Sequence, residues 1–163
     1  MNRIKVVSEA AELVPILRAI DSQVKRDVFK EVTENWCTEK QIENKFGEAG
    51  LEALRFFEKM NLVETKWQSS ESEPEKAYHG FYSSFHIDAS STIHEITDVL
   101  AAAVMDDDDY EKIEKKIYRF VGEEGKFVGD VAEKMKISQT MLRGLVKRSA
   151  RLEYRGHRIE RLL

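Results

Sequence analysis

Apolar side chains recur at helical spacing along most of the chain, with one stretch where they alternate instead. In EAAELVPILRAI, Leu13, Leu17 and Ile20 share one helix face, and Pro15 lies early enough to fit a first turn. Ser22 is placed to cap QVKRDVFKEVTEN, where Val24, Val28, Phe29 and Val32 form an inward stripe opposite Lys25, Arg26, Lys30 and Glu31. Thr38 and Gln41 make a capping box for a short helix with Ile42 and Phe46 inward, and Gly47 ends it. Leu51, Leu54, Phe57 and Met60 carry the next helix, and Asn61 suits the left-handed position at its end. Then the period changes. LVETKW alternates as a strand does, QSSESEPE is a polar loop, and KAYHGFYSSF reads as a returning strand. SSTIHEITDVLAAAVM resumes the helical period through Ile93, Ile96, Val99, Leu100 and Val104.

Asp106 to Asp109 interrupt the apolar pattern. Four like charges repel and stay hydrated, so they suit a linker that becomes the first turn of a helix, where negative charge meets the positive end of the dipole. This predicts two domains, residues 1–105 and 106–163. The second repeats the first in shorter form: Ile113, Ile117, Phe120 and Val121 inward, then Val128, Val131, Ala132 and Met135. Ser138 then caps a helix with Leu142, Leu145 and Val146 inward. RLEYRGHRIERL closes it as a hairpin around Gly156. Helices followed by a hairpin, twice over, predict a mainly α protein with small β wings, built as tandem winged helix-turn-helix domains.

A hydrophobic fraction of 42%, a charged fraction of 34% and two prolines are what a helix-rich globular protein shows. No apolar run approaches the roughly 18 residues of a membrane span, and MNRIKVVSEAAEL has no signal-peptide core, so a cytoplasmic protein without a membrane partner is expected. Cys37 stands alone and excludes an internal disulfide or a cysteine-built zinc site. The net charge of −4 conceals an asymmetry. Residues 1–105 hold 12 basic and 18 acidic side chains, residues 106–163 hold 14 and 12, and the last 26 residues hold seven and two. A local footprint for a polyanion is therefore open in the second domain.

A helix-turn-helix reads DNA by laying its second helix in the major groove, so that helix must turn a polar or cationic face outward. In the first domain Glu48, Glu52 and Glu58 outnumber Arg55 and Lys59, and the helix contributes little unless Lys66, Trp67, Lys76 and His79 on the wing assist. In the second, Gln139, Thr140, Arg143, Lys147 and Arg151 run opposite Leu142, Leu145 and Val146, with Arg148 flanking them. Arg143 has the fork that matches a guanine edge, Gln139 suits adenine, and Gly144 leaves the backbone free to approach the groove. Arg155, His157 and Arg158 at the hairpin tip suit phosphate or the minor groove. Double-stranded DNA is the expected partner, with these nine side chains as its site.

The segments LRAIDSQVKRDVFKEV and LEALRFFEKMNLVETKW resemble the motif helices and wing of archaeal ArsR-like winged-helix regulators, over about residues 13–104. ISQTMLRGLVKRSARLEYRGHRIERL is similar to the second helix-turn-helix of two-domain archaeal members, including activators of archaellum operons. The resemblance implies a homodimer formed by the helices flanking the first domain, which places Leu13, Leu17, Ile93, Ile96, Val99, Leu100 and Ala103 at the interface. Ala101 to Ala103 would permit close helix approach. It also implies a search for sensory metal ligands among His79, His86, Asp88, His94 and Asp98. The family's last-helix pattern has Asp-x-His and then His-x-x-His or Glu. Here HID reverses the first pair and Thr97 follows His94, so neither metal nor cofactor is expected. No phosphate-cradling glycine loop, HExxH or Gly-x-Ser-x-Gly elbow occurs, so no enzyme is expected. The expected function is sequence-specific transcription regulation, with the basal transcription machinery as a further candidate partner. The alternative is a tandem winged-helix scaffold that binds proteins in a transcription or chromosome complex without reading DNA.

Overall fold

The computed structural model describes residues 2–162, mostly helical with three small sheets. In chain order these are β1 (Ile4–Val7), a 3-10 turn (Ala10–Glu12), α1 (Leu13–Ala19), α2 (Gln23–Glu34), β2 (Cys37–Thr38) and α3 (Glu39–Lys59). Then follow β3 (Val63–Gln68), β4 (Glu75–Gly80), β5 (Ser84–Ile87), α4 (Ile93–Val104) and α5 (Asp107–Val121). The chain finishes with β6 (Lys126–Phe127), α6 (Val128–Met135), α7 (Gln139–Arg148), β7 (Leu152–Arg155) and β8 (Arg158–Arg161). Among the described residues no helix is long and apolar enough to cross a membrane.

The residues fall into two units, Met1–Val6 with Ala19–Ile87, and Val7–Arg18 with Asp88–Leu163. This division differs from the expected boundary between residues 105 and 106. Residues 7–18 and α4 have their packing partners in the second unit, because their apolar faces close onto α7.

In the first unit, local chemistry sets the helix ends. Ser22 Oγ accepts from Lys25 N at 3.2 Å, and the Thr38–Gln41 capping box forms in both directions. α3 is two helices meeting at Gly47, whose φ of 70° and ψ of −161° break the helical path. Asn61 takes the left-handed conformation that returns the chain into β3. Val28, Val32, Ile42, Leu54, Phe57 and Tyr78 fill the core, with the Phe29 ring edge-on to Phe57 at 5.2 Å. β2, β4 and β3 form an antiparallel sheet in that order, pairing Thr65 with Tyr78 and Trp67 with Lys76. KAYHGFYSSF is not one strand. Phe81 N bonds to Leu62 O, and Ser83 N bonds to Arg3 O, so the chain leaves β3 after Gly80 and β5 pairs with β1 instead.

The second unit contains two apolar clusters. Tyr110, Ile117, Val131, Leu142, Leu145 and Ile159 join α5, α6, α7 and the β7–β8 hairpin. Ala10, Val14, Val99 and Ala103 join the N-terminal turn and α1 to α4. α7 serves both sides: Leu142, Leu145 and Val146 belong to the first cluster, while Gly144 and Arg148 face α4. A Cβ placed on Gly144 would lie 2.8 Å from the Ala102 Cβ, so this glycine permits close helix approach rather than approach to a groove.

Arg148 is buried against the end of α4. One guanidinium nitrogen donates to Ala102 O at 3.1 Å and Met105 O at 2.6 Å, and the other to Asp107 Oδ1 at 2.7 Å. Its charge also lies 4.2 Å over the Tyr110 ring. Helix ends leave carbonyls unpaired and carry partial negative charge, so Arg148 is a cap supplied from another helix. Burial lowers its pKa, Arg18 adds to that by repulsion, and Asp107 opposes both.

This packing engages three residues of the expected interfaces within the unit itself. Arg148, expected to flank a DNA-contacting row, is fully engaged inside the unit. Val99 and Ala103, expected between two copies, are 0% and 4% exposed and belong to their own core. Leu13 and Ile96 are half-buried, whereas Leu17, Ile93 and Leu100 remain on the surface.

Arg148→Met should destabilise the chain by about 2–4 kcal/mol, because it leaves buried α4 carbonyls without donors. Lys147→Met should change stability by less than about 0.5 kcal/mol in the same denaturant titration. Gly144→Ala gains about 1 kcal/mol of helix propensity, yet overpacking against the rigid Ala102 methyl costs about 1–3 kcal/mol, so a net loss is expected. Thermal unfolding of the same purified variant checks it, and a stabilised protein would contradict close contact between α4 and α7.

Candidate nucleic-acid interface

α7 starts at Ser138, whose Oγ accepts from Met141 N at 3.0 Å and donates to Asp98. Two of the helix's faces are covered, one by the α5–α6 core and one by α4. The remaining face carries Gln139 and Arg143, both exposed, with Thr140 and Lys147 half-exposed. α7 contains no carboxylate. Arg143 pairs with Glu9 at 3.1 Å through two well-exposed side chains, so the contact is weak and easily exchanged for another anion. Lys147 forms no ion pair among the described residues.

Other cations of the expected site are engaged. Arg151 donates to both oxygens of buried Glu114, and that pairing raises its pKa. Glu114 also accepts from Ser149 Oγ, so this carboxylate fixes the corner between α7 and β7. At the hairpin tip, Gly156 has φ 61° and reverses the chain between β7 and β8. Arg155 pairs with Glu153 at 2.7 Å and Glu160 at 3.4 Å while remaining largely exposed. His157 is exposed, and its carbonyl accepts from Val128 N at the start of α6. Arg158 donates to Glu124 O at 2.7 Å and stacks 4.8 Å over the exposed Phe127 ring. The Tyr154 ring lies 5.6 Å from the Arg143 guanidinium, with its hydroxyl buried and its pKa raised by burial.

The expected site therefore divides. Gln139, Thr140, Arg143 and Lys147 share one open face, Arg155, His157 and Arg158 occupy the hairpin, and Arg148 and Arg151 hold the unit together. Sequence reasoning passed over Arg161, which donates twice to Tyr118 O and so caps α5. It also passed over Lys116, Arg119 and Lys134, although the KKIYRF spacing already places Lys116, Arg119 and Phe120 on one side of α5.

In the first unit the helix expected to face DNA, the later half of α3, exposes Glu48, Glu52 and Arg55, with Arg55 paired to Glu48 at 3.2 Å. The wing cations are also occupied. Lys76 pairs with Glu58, Lys66 lies 4.0 Å over the Trp36 ring, and His79 stacks on Trp36 at 5.1 Å. Trp67 is 71% exposed. This surface offers phosphate little. The Cys37 thiol is buried and its pKa raised by that burial. No group of three or more histidine, cysteine or acidic side chains suited to a metal occurs among the described residues.

No curated protein matches the chain. The sequence profile described as ArsR transcriptional regulator matches residues 7–162, which takes in the candidate face, the hairpin and nearly all of both units. The chain belongs to the ArsR family of DNA-binding transcription regulators.

Proposed function

We propose that the protein is a cytoplasmic, sequence-specific regulator of the two-domain archaeal type, acting as a homodimer. Each unit is a winged helix-turn-helix, and α7 with the β7–β8 hairpin is the main DNA reader. One observation carries this reading: α7 keeps an open, carboxylate-free face of Gln139, Thr140, Arg143 and Lys147, while the matching helix of the first unit presents Glu48 and Glu52. Phosphate contacts supply most of the affinity of such an interface and base contacts its sequence preference. Arg143 is the base-reading candidate and Lys147 the phosphate candidate. Dimerisation is supported by Ile93, Leu100 and Val104, which recur along one side of α4 at 81%, 44% and 76% exposure.

A second reading, a protein-binding scaffold that reads no DNA, is favoured by the packing of α4 against α7, which narrows the free face. The two readings separate in a mobility-shift series against promoter fragments at several salt concentrations. The regulator reading expects Arg143→Ala to weaken specific binding about tenfold or more. It expects Lys147→Ala to make the salt dependence shallower by about one phosphate contact. Arg55→Ala on α3 should leave retention unchanged. Equal retention by all three variants and wild type would favour the scaffold. For the dimer, sedimentation of wild type should give twice the chain mass and Leu100→Asp the mass of a single chain. A wild-type monomer would contradict the assignment.

A further inference from the structure

A cleft of about 440 Å³ in the second unit lies apart from the open face of α7. Lys116, Arg119 and Phe120 of α5 and Lys134 and Met135 of α6 line it, and no carboxylate is among them. Its volume falls within the roughly 300–1,000 Å³ of small-molecule sites.

The cations here are not consumed by the fold. Neighbouring Lys112 and Lys115 pair with Asp109 and Glu111, each at 3.5 Å. Among the described residues Lys116, Arg119 and Lys134 form no ion pair or hydrogen bond. Basic residues near helix C-termini commonly serve the last carbonyls, which would account for Arg119 and Lys134 without any ligand. Those carbonyls already have other donors. Arg161 donates to Tyr118 O at 3.0 and 2.9 Å at the end of α5. α6 closes through the left-handed Lys136, whose N–H bonds to Glu133 O, with Ile137 N bonded to Ala132 O. Lys116 lies a turn upstream of any end. Three exposed like charges thus border an apolar floor with no carboxylate among them, a setting that attracts an anion.

The floor narrows the class of anion. The Phe120 ring is half-buried with its centroid 5.6 Å from Lys126 Nζ and 5.9 Å from Lys134 Nζ, and Met135 supplies a polarisable thioether beside it. Inorganic phosphate would satisfy the cations and leave the ring and thioether in water. A ligand with phosphates at one end and a flat ring at the other uses both, because bases stack on aromatic side chains while lysine and arginine hold phosphate.

We propose that the α5–α6 cleft binds a nucleotide, with its phosphates on Lys116, Arg119 and Lys134 and its base against Phe120 and Met135. The site is independent of DNA reading by α7. Calorimetric titration of the full chain with ATP tests it. Saturable binding is expected, weakened about tenfold or more in the double variant Arg119→Ala, Lys134→Ala, which removes two charge-assisted contacts. Both side chains are exposed and form no ion pair or hydrogen bond among the described residues, and Lys134 makes only a long contact with the Phe120 ring, so that variant should fold. Lys112→Ala with Lys115→Ala removes equal charge from α5 outside the cleft and should leave ATP affinity unchanged. Inorganic phosphate should bind more weakly than ATP. Equal weakening in both double variants, or phosphate binding as tightly as ATP, overturns the proposal. Loss of ATP binding when the chain is saturated with duplex DNA would identify the DNA backbone as the phosphate source and overturn it too.

Discussion

The arginine at the end of α7 organises the second unit. Arg148 delivers its guanidinium to the last carbonyls of α4 and the first acidic residue of α5, so one side chain ties three helices at the point where the chain turns. An unpaired guanidinium there would be costly to bury, and unpaired carbonyls at the end of α4 would be costly without it. Each meets the other's need. The contact requires α7 to lie close on α4, and Gly144 makes that approach possible by carrying no side chain opposite Ala102.

What α7 can offer a partner follows from this geometry. A helix buried on one side keeps most of its circumference free, whereas α7 is covered on two sides and keeps a strip bearing Gln139, Thr140, Arg143 and Lys147. Around the strip, arginines are largely turned to internal use, with Arg151 on Glu114, Arg161 on the end of α5 and Arg155 between two glutamates. The basic tally of the last 26 residues therefore overstates the charge available to a ligand. The less conspicuous Lys116, Arg119 and Lys134 keep theirs. In the first unit pairing runs the other way, and carboxylates dominate the exposed face of α3.

Features decided within a few residues were legible in the sequence. The caps at Ser22, Thr38 and Ser138, the break at Gly47, the left-handed Asn61 and the reversal at Gly156 follow from backbone chemistry that needs no distant partner. The inward rows of α2, α3, α5 and α7 follow from period alone. Arg148 stands one turn after Leu145, at the edge of the inward row, and period alone does not say whether such an edge position is covered, whereas Lys147 lies opposite that row. Only the arrival of α4 buries one and leaves the other in water. Val99 and Ala103 lie in their own core for the same reason, because an apolar stripe does not say which surface will cover it. β1 is too short for its period to show, and its pairing with β5 spans about 80 residues.

On the proposed reading, the strip on α7 meets DNA while Arg148 stays within the fold. Amide hydrogen exchange of the full chain, with and without a retained promoter fragment, tests it directly. DNA-dependent protection is expected across residues 139–147 and the hairpin tip at 155–158, with α3 unchanged. Protection confined to residues 48–59 and the β3–β4 wing, with none in α7, would contradict it.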